Sequence, residues 1–317
     1  IRGLVGSEMC IRDRPGTVSA PSVNNYDFAS CDSGVCTISG TVDQDYTMVA
    51  GTDYVLSGTV KVGDGDGVIS SATEMSAIQA AGVTLTIEPG VDVKGSSDGI
   101  LLVTRGSKLV ADGTASAPIT FSSLDADYDG MGEWGGIVVQ GFAPQYGAGG
   151  TGACFADGEA WCNVEGEGGT TIANYGGNLP ADDSGVIRYV RIAEGGLVAG
   201  PNNEVNGLTL QGVGHGTQIS HVQVHGNLDD GIEWFGGTAN VTHAVLTNND
   251  DDDIDFDEGF QGNIQYALVI KRQDEGAVPV GSNDPRGLEL NSSDEDYVPE
   301  TAGSVANVTV IGGDAAN

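Results

Sequence analysis

The chain has 317 residues, 51 of them Gly, with 12 Lys and Arg against 45 Asp and Glu and a formal net charge of −33. That balance argues against nucleic acid and against an anionic membrane surface, because both need a basic footprint. It suits an exterior solvated in salty medium, bound divalent cations, or both.

The first fourteen residues do not match the rest. They are basic, contain Cys10 and hold the string SEMCIRDR, which looks like translated sequencing-adaptor read-through, so residues 1–14 are set aside as artefact or disorder. The true start is then expected to be missing, and with it any signal sequence. Residues 15–82 read as an N-terminal cap and first coils, with strand-like pieces at 37–42 and 53–60 and one short helical candidate at 72–81. From 83 a repeated style sets in: VTLTIEPGVDVKG, GILLVTRGSKLVADG, APITFSS and EWGGIVVQG alternate apolar residues between Gly turns. Residues 141–185 form a Gly-rich insertion of the kind that projects from one face of a solenoid. The chain stops soon after the strand-like 305–311, so a truncated C-terminus is expected.

The second half carries a period of about 22 residues. Gly207-Leu-Thr-Leu-Gln, Gly231-Ile-Glu-Trp-Phe, Asp253-Ile-Asp-Phe-Asp and Gly287-Leu-Glu-Leu-Asn align. They give one apolar column of Leu208, Ile232, Ile254 and Leu288, and a second of Leu210, Trp234, Phe256 and Leu290. An independent strand family repeats at 187–192, 219–224, 241–246, 264–269 and 305–310. Two strand families on one period of coil length predict a right-handed parallel β-helix, residues 83–317, in which no coil buries its apolar face alone.

Four cysteines remain outside the leading segment. Their local spacing predicts disulfides Cys31–Cys36 and Cys154–Cys162, the second inside the insertion, and an oxidising compartment. A zinc site is the alternative for the first pair, although no matched His or Cys pair follows it.

The strings CDSGVCTISGTV, GEWGGIVVQG, SGVIRYVRIAEGG, NEVNGLTLQGVGHGTQISHVQVHGNLDDGIEWFGG and DDDDIDFDEGFQGNIQYALV resemble a group of bacterial, mostly marine, surface or lipoprotein-like β-helix proteins over residues 27–317. The resemblance implies the fold and a location outside the cell or on its outer surface. It supplies no activity and no catalytic residue.

Three constellations could carry chemistry. The first is acidic. Alternation turns Thr209, Glu233, Asp255 and Glu289 outward between the two apolar columns, on coils about 4.8 Å apart. Asp229 and Asp230 flank that column, as do Asp250, Asp251, Asp252 and Asp253 one coil on, followed by Asp257 and Glu258. Such a density of hard oxygen ligands suits Ca2+, and a solvated acidic turn is the plainer reading. Asp125, Asp127, Asp129 and Gly130 also have the spacing of the first half of a calcium loop, without an evident distal glutamate beyond Glu133. The second constellation stacks Tyr189, His221, His243, Tyr266 and Asn307, either as an aromatic ladder or as a histidine metal pair. The third is enzymatic. Arg188, Arg191, Lys271, Arg272 or Arg286 could serve as the base of a calcium-dependent polysaccharide lyase, and Asp230 with Asp252 as a hydrolase pair. Gly214-His215-Gly216 faintly matches a pectinase motif, although it precedes the paired aspartates.

The leading functional expectation is a non-catalytic binding or structural role in an extracellular or cell-surface β-helix that is stabilised by Ca2+. Its partners would be divalent cations and an extracellular polysaccharide or another surface protein. The alternatives are a calcium-dependent polysaccharide lyase or glycoside hydrolase, and an adhesin or passenger segment of a larger exported protein.

Overall fold

The computed structural model describes residues 26–125, 127–147, 160–200, 203–271 and 285–313. Among them the only helix is Ala72–Ala81, on the segment whose sequence suggested it. Ser71 caps it, accepting the Glu74 N–H through its hydroxyl. The chain otherwise winds through parallel strands into a β-helix with three ladders.

The first ladder stacks residues 59–62 of Asp53–Val62 with Ile100–Val103, Ile137–Gln140, Leu208–Gln211, Ile232–Phe235, Ile254–Asp257 and Leu288–Leu290, all parallel. Ile232 pairs with Ile254, and Trp234 with Phe256, in the register that the repeats predict. The second ladder runs through Asp92–Gly95 and Ile119–Ser123, and the third through Thr84–Ile87 and Lys108–Asp112. From Gly185 onward these two ladders share single long strands: Gly185–Ala193, Gln218–His225, Asn240–Thr247, Asn263–Ile270 and Ser304–Ile311.

One residue per coil makes the corner between those ladders. Tyr189, His221, His243, Tyr266 and Asn307 all have left-handed backbones, with φ of 49°, 55°, 60°, 62° and 57°. None of the five takes part in the strand pairing on either side of it. A left-handed non-glycine residue costs roughly 1–2 kcal/mol. Ring stacking along the corner offsets part of this cost. Successive ring centroids lie 4.4, 4.5 and 5.0 Å apart from Tyr189 to Tyr266. His221 therefore sits directly on His243.

The inward columns make one continuous core from Phe28 to Val269, with Leu101, Ile137, Leu208, Ile232 and Ile254 wholly inaccessible to solvent. The short antiparallel pair Ala29–Asp32 and Val35–Val42 lies at the N-terminal end, closed by the disulfide Cys31–Cys36. That disulfide was expected from spacing. Cys162 is also disulfide-bonded, while its expected partner Cys154 and the supposedly unpaired Cys10 lie outside the described residues.

The described part of the insertion folds back onto the solenoid. Its antiparallel hairpin, Trp161–Glu165 with Asn174–Gly177, lies over the outer face of the first ladder. Ile172 and Val205 cover the outward-facing Leu102 and Val138. Arg105, fully buried, ties the hairpin down by donating to the carbonyls of Gly65, Gly67, Cys162 and Gly176.

Candidate functional site

The outward column of the first ladder changes character along the solenoid. Its members in register are Lys61, Leu102, Val138, Thr209, Glu233, Asp255 and Glu289. The apolar members lie under the insertion, and so does the first acid. Glu233 is only 8% exposed although it points away from the core. Glu233 is thus covered, while Asp255 and Glu289 on the same column are only partly buried.

The turn leading into this ladder adds the other carboxylates. Backbone bonds from Gly231 N to Asp252 O and from Ile232 N to Asp253 O carry the ladder register back into the turn. This stacks residues 229–231 on 251–253. The coils approach so closely here that a Cβ on Gly231 would meet the Asp253 carbonyl oxygen at 2.7 Å. Buried Asn227 and Asn249 brace the turn: the Asn227 N–H donates to Asn249 Oδ1 at 3.1 Å, and Asn227 Nδ2 donates to the Asp230 carbonyl at 2.8 Å.

Two groups of carboxylates converge, with oxygens within 4.8 Å of one another: Asp229, Asp230 and Asp251, and then Asp230, Glu233 and Asp255. Asp230 belongs to both. That spread matches the separation of ligands around one hard cation bound at about 2.3–2.6 Å. Asp255 Oδ1 and Asp257 Oδ1 are shielded from solvent and accept no hydrogen bond. Among the described residues, Asp229, Asp230, Glu233 and Asp255 make no ion pair.

The other expected ligands have different partners. Asp253 is paired with Lys271 at 3.0 Å and accepts from Asn249 Nδ2 at 2.8 Å. Asp252 accepts the Arg286 backbone N–H, with the Arg286 guanidinium 3.7 Å from its other oxygen. Glu289 is bonded to the same guanidinium. Glu258 accepts the Tyr175 hydroxyl from the insertion hairpin. Asp250 is buried in the turn, with its N–H on the Asn227 carbonyl at 2.9 Å.

Burial and mutual repulsion raise these acids together. Desolvation, then Asp251, pushes Asp229 up to about 7, and desolvation with Glu289 brings Asp255 to about 7. Desolvation takes Asp252 to about 8. Desolvation also holds Asp230, Glu233 and Asp257 well above the carboxylate range, with neighbouring carboxylates adding to it. Crowded and buried in this way, the carboxylates retain protons more readily than exposed acids do. A divalent ion would replace those protons.

Sequence patterns did not reveal Glu167. It comes from the insertion and faces Glu233, and burial, then Asp229, pushes it up to about 8. Gln211 Nε2 holds the Glu167 carbonyl at 3.1 Å. Asn206 was also missed; its Nδ2 donates to Glu233, and its Oδ1 accepts the Asp230 N–H at 3.2 Å. Glu167 lies on no repeated column, so periodicity gave no signal for it. Asn206 does lie on one, in the place that Asp230 and Asp252 take one and two coils on, and each of the three side chains accepts the next coil's N–H.

The remaining constellations separate. The histidine rings stack 4° from parallel between two tyrosines, as a ladder does, and no histidine joins a three-ligand group among the described residues. His215 sits on Thr238 and Pro180 rather than beside the paired aspartates.

A family model for a pectate-lyase-like β-helix domain matches residues 68–317, most of the chain. The chain belongs to that family. No curated protein and no solved structure gives a significant match. Membership accounts for the three-ladder solenoid and assigns no residue a role. In this pectate-lyase-like domain, Asp230 accepts the Asp252 backbone N–H at 2.9 Å, and both side chains are buried. Among the described residues no helix is long and apolar enough to cross a membrane.

Proposed function

We propose that this pectate-lyase-like β-helix has a binding and structural role outside the cell or on its outer surface, and that Ca2+ bound at the acidic face of the first ladder stabilises it. The observation that carries the reading is the pair of overlapping triads, Asp229, Asp230 and Asp251 and then Asp230, Glu233 and Asp255, together with the unbonded Oδ1 of Asp255. Hard carboxylate oxygens in overlapping groups suit calcium, which tolerates irregular geometry, better than magnesium, which demands a near-ideal octahedron. The location is supported by the Cys31–Cys36 disulfide and by the acidic composition. A polysaccharide or a surface protein is the expected partner of the exposed solenoid face.

A calcium-dependent polysaccharide lyase is the competing reading, favoured by the Arg286 guanidinium beside Asp252 and Glu289. Its pairing with two carboxylates stabilises the charged form, and a charged guanidinium cannot abstract a proton. The test is thermal unfolding at fixed ionic strength with calcium or with chelator, run beside an assay for unsaturated uronide release from acidic polysaccharides. A calcium-dependent rise in Tm without uronide release supports the proposal. An identical Tm in both conditions rejects the metal, and uronide release that is lost in Arg286→Lys favours the lyase.

A further inference from the structure

A second group of acids lies elsewhere on the solenoid and shares no residue with the first. Asp125, Asp127 and Glu194 bring carboxylate oxygens within 4.8 Å of one another. Asp125 and Asp127 belong to an exposed loop after Ile119–Ser123 whose Asp-x-Asp-x-Asp-Gly spacing ends at Gly130. Glu194 comes from the following coil, just past Gly185–Ala193. The loop is bonded to that coil: Glu133 N–H donates to the Glu194 carbonyl at 3.0 Å, Gly132 N–H to Gly195 at 2.7 Å, and Trp134 Nε1 to Ala193 at 2.7 Å.

Glu194 is the observation that points to a ligand. It is 0% exposed, yet its Oε1 has no hydrogen-bond partner. Its other oxygen accepts from Ser123 Oγ at 3.0 Å, and that same hydroxyl lies 3.1 Å from Asp125 Oδ1. One hydroxyl proton cannot serve both carboxylates at once. The backbone of Glu194 is left-handed as well, at φ 65°, a conformation that a glutamate does not favour. Among the described residues no cation pairs with Glu194. Lys94 donates to Ser122 Oγ and to the Asp125 backbone carbonyl, and Arg191 lies over the Tyr128 ring at 4.3 Å. A buried carboxylate with an unsatisfied oxygen is costly unless a cation or a proton completes it.

We propose that Asp125, Asp127 and Glu194 form a second calcium site, in which a carboxylate from the next coil joins those of the loop. Glu133 and Asp129 lie close enough to couple to it. Repulsion from Asp125 and Asp129 raises Asp127, and Asp125 and Glu194 add to the desolvation that raises Glu133. Such a site would fasten the loop to the coil above it and stiffen the second ladder at that corner.

Calcium titration of the full chain by calorimetry tests this, paired with terbium luminescence sensitised through Tyr128. Asp127→Asn alters an exposed side chain and leaves the core untouched. We expect it, and Glu194→Gln, to weaken one class of calcium binding by roughly tenfold or more, the scale of losing a metal ligand or its support. Tyr128→Phe should lower the terbium emission with calcium affinity retained. Asp255→Asn should spare this class of site. Unchanged stoichiometry and affinity in Asp127→Asn would overturn the proposal, even if Glu194→Gln fails to fold. Binding that survives Asp255→Asn but not Asp127→Asn would sustain this site even if the acidic face of the first ladder binds nothing.

Discussion

His221 stacks on His243 with ring centroids 4.5 Å apart and planes 4° from parallel, and both residues turn the chain through a left-handed backbone. The stack therefore does two jobs at one position: it makes the corner and it offsets the strain of that corner. His243→Asn keeps a residue that tolerates the left-handed region and loses only the stacking, a cost of about 0.5–1.5 kcal/mol. His243→Val loses both, because a β-branched side chain is least tolerant there, and should cost more than the Asn variant. Denaturant unfolding of the two variants checks that order.

The same stack has a pH signature. Desolvation, with His243 and Arg188 adding repulsion, lowers the His221 pKa in the folded state. The unfolded chain then binds more protons as pH falls, so this contribution is present at neutral pH and is lost as pH drops below about 6.5. His221→Asn should flatten that acid limb of a Tm-against-pH curve and leave the alkaline limb alone.

The acidic face predicts the opposite limb. Asp229 and Asp255 at about 7 and Asp252 at about 8 in the folded state all lie above their unfolded values. The folded chain binds more protons between the unfolded and folded values. In chelator, stability is therefore fully present near pH 4 and is lost as pH rises through 7 to 8. Calcium should raise Tm far more at pH 8 than at pH 5, and its binding should release protons that calorimetry in buffers of different ionisation enthalpy can count.

Replacing one repelling acid separates metal binding from mere repulsion. Asp255→Asn should raise Tm in chelator, by about 2–4 °C for each kcal/mol of repulsion removed, and should shrink the calcium-induced shift. Glu167→Gln should act in the same direction, because Glu167 faces Glu233 from the insertion. A variant that lowers Tm equally with and without calcium would show that the carboxylate matters only for packing.

Arg105 is the anchor of the insertion and can be tested without metal. Its guanidinium serves four backbone carbonyls in a buried setting. Arg105→Met leaves those acceptors unpaired, at a cost of roughly 3 kcal/mol or more. Limited proteolysis should then cut within the insertion hairpin before the solenoid unfolds, and the calcium response should weaken as Glu167 leaves the acidic face.

Leu208, Ile232, Ile254 and Leu288 were legible as one stack because a solenoid writes its register into the chain as a period, and a residue that must touch its own image one coil on has to repeat. The histidine ladder and the outward acid column followed from the same alignment, as did the Cys31–Cys36 bridge from its short spacing. Burial of Glu233 in that acid column was not legible. Alternation says only that Glu233 points away from the core, and the insertion that covers it carries no repeat. Glu167 meets Glu233 from 66 positions away, and Glu194 meets Asp125 from 69. Those meetings depend on where a non-periodic loop comes to rest, which is set by contacts such as the Arg105 anchor and the Glu133 bond to Glu194. The period of the sequence determined the stack, and the tertiary structure alone decided which outward carboxylates are enclosed, because enclosure needs a second surface that the repeat does not encode.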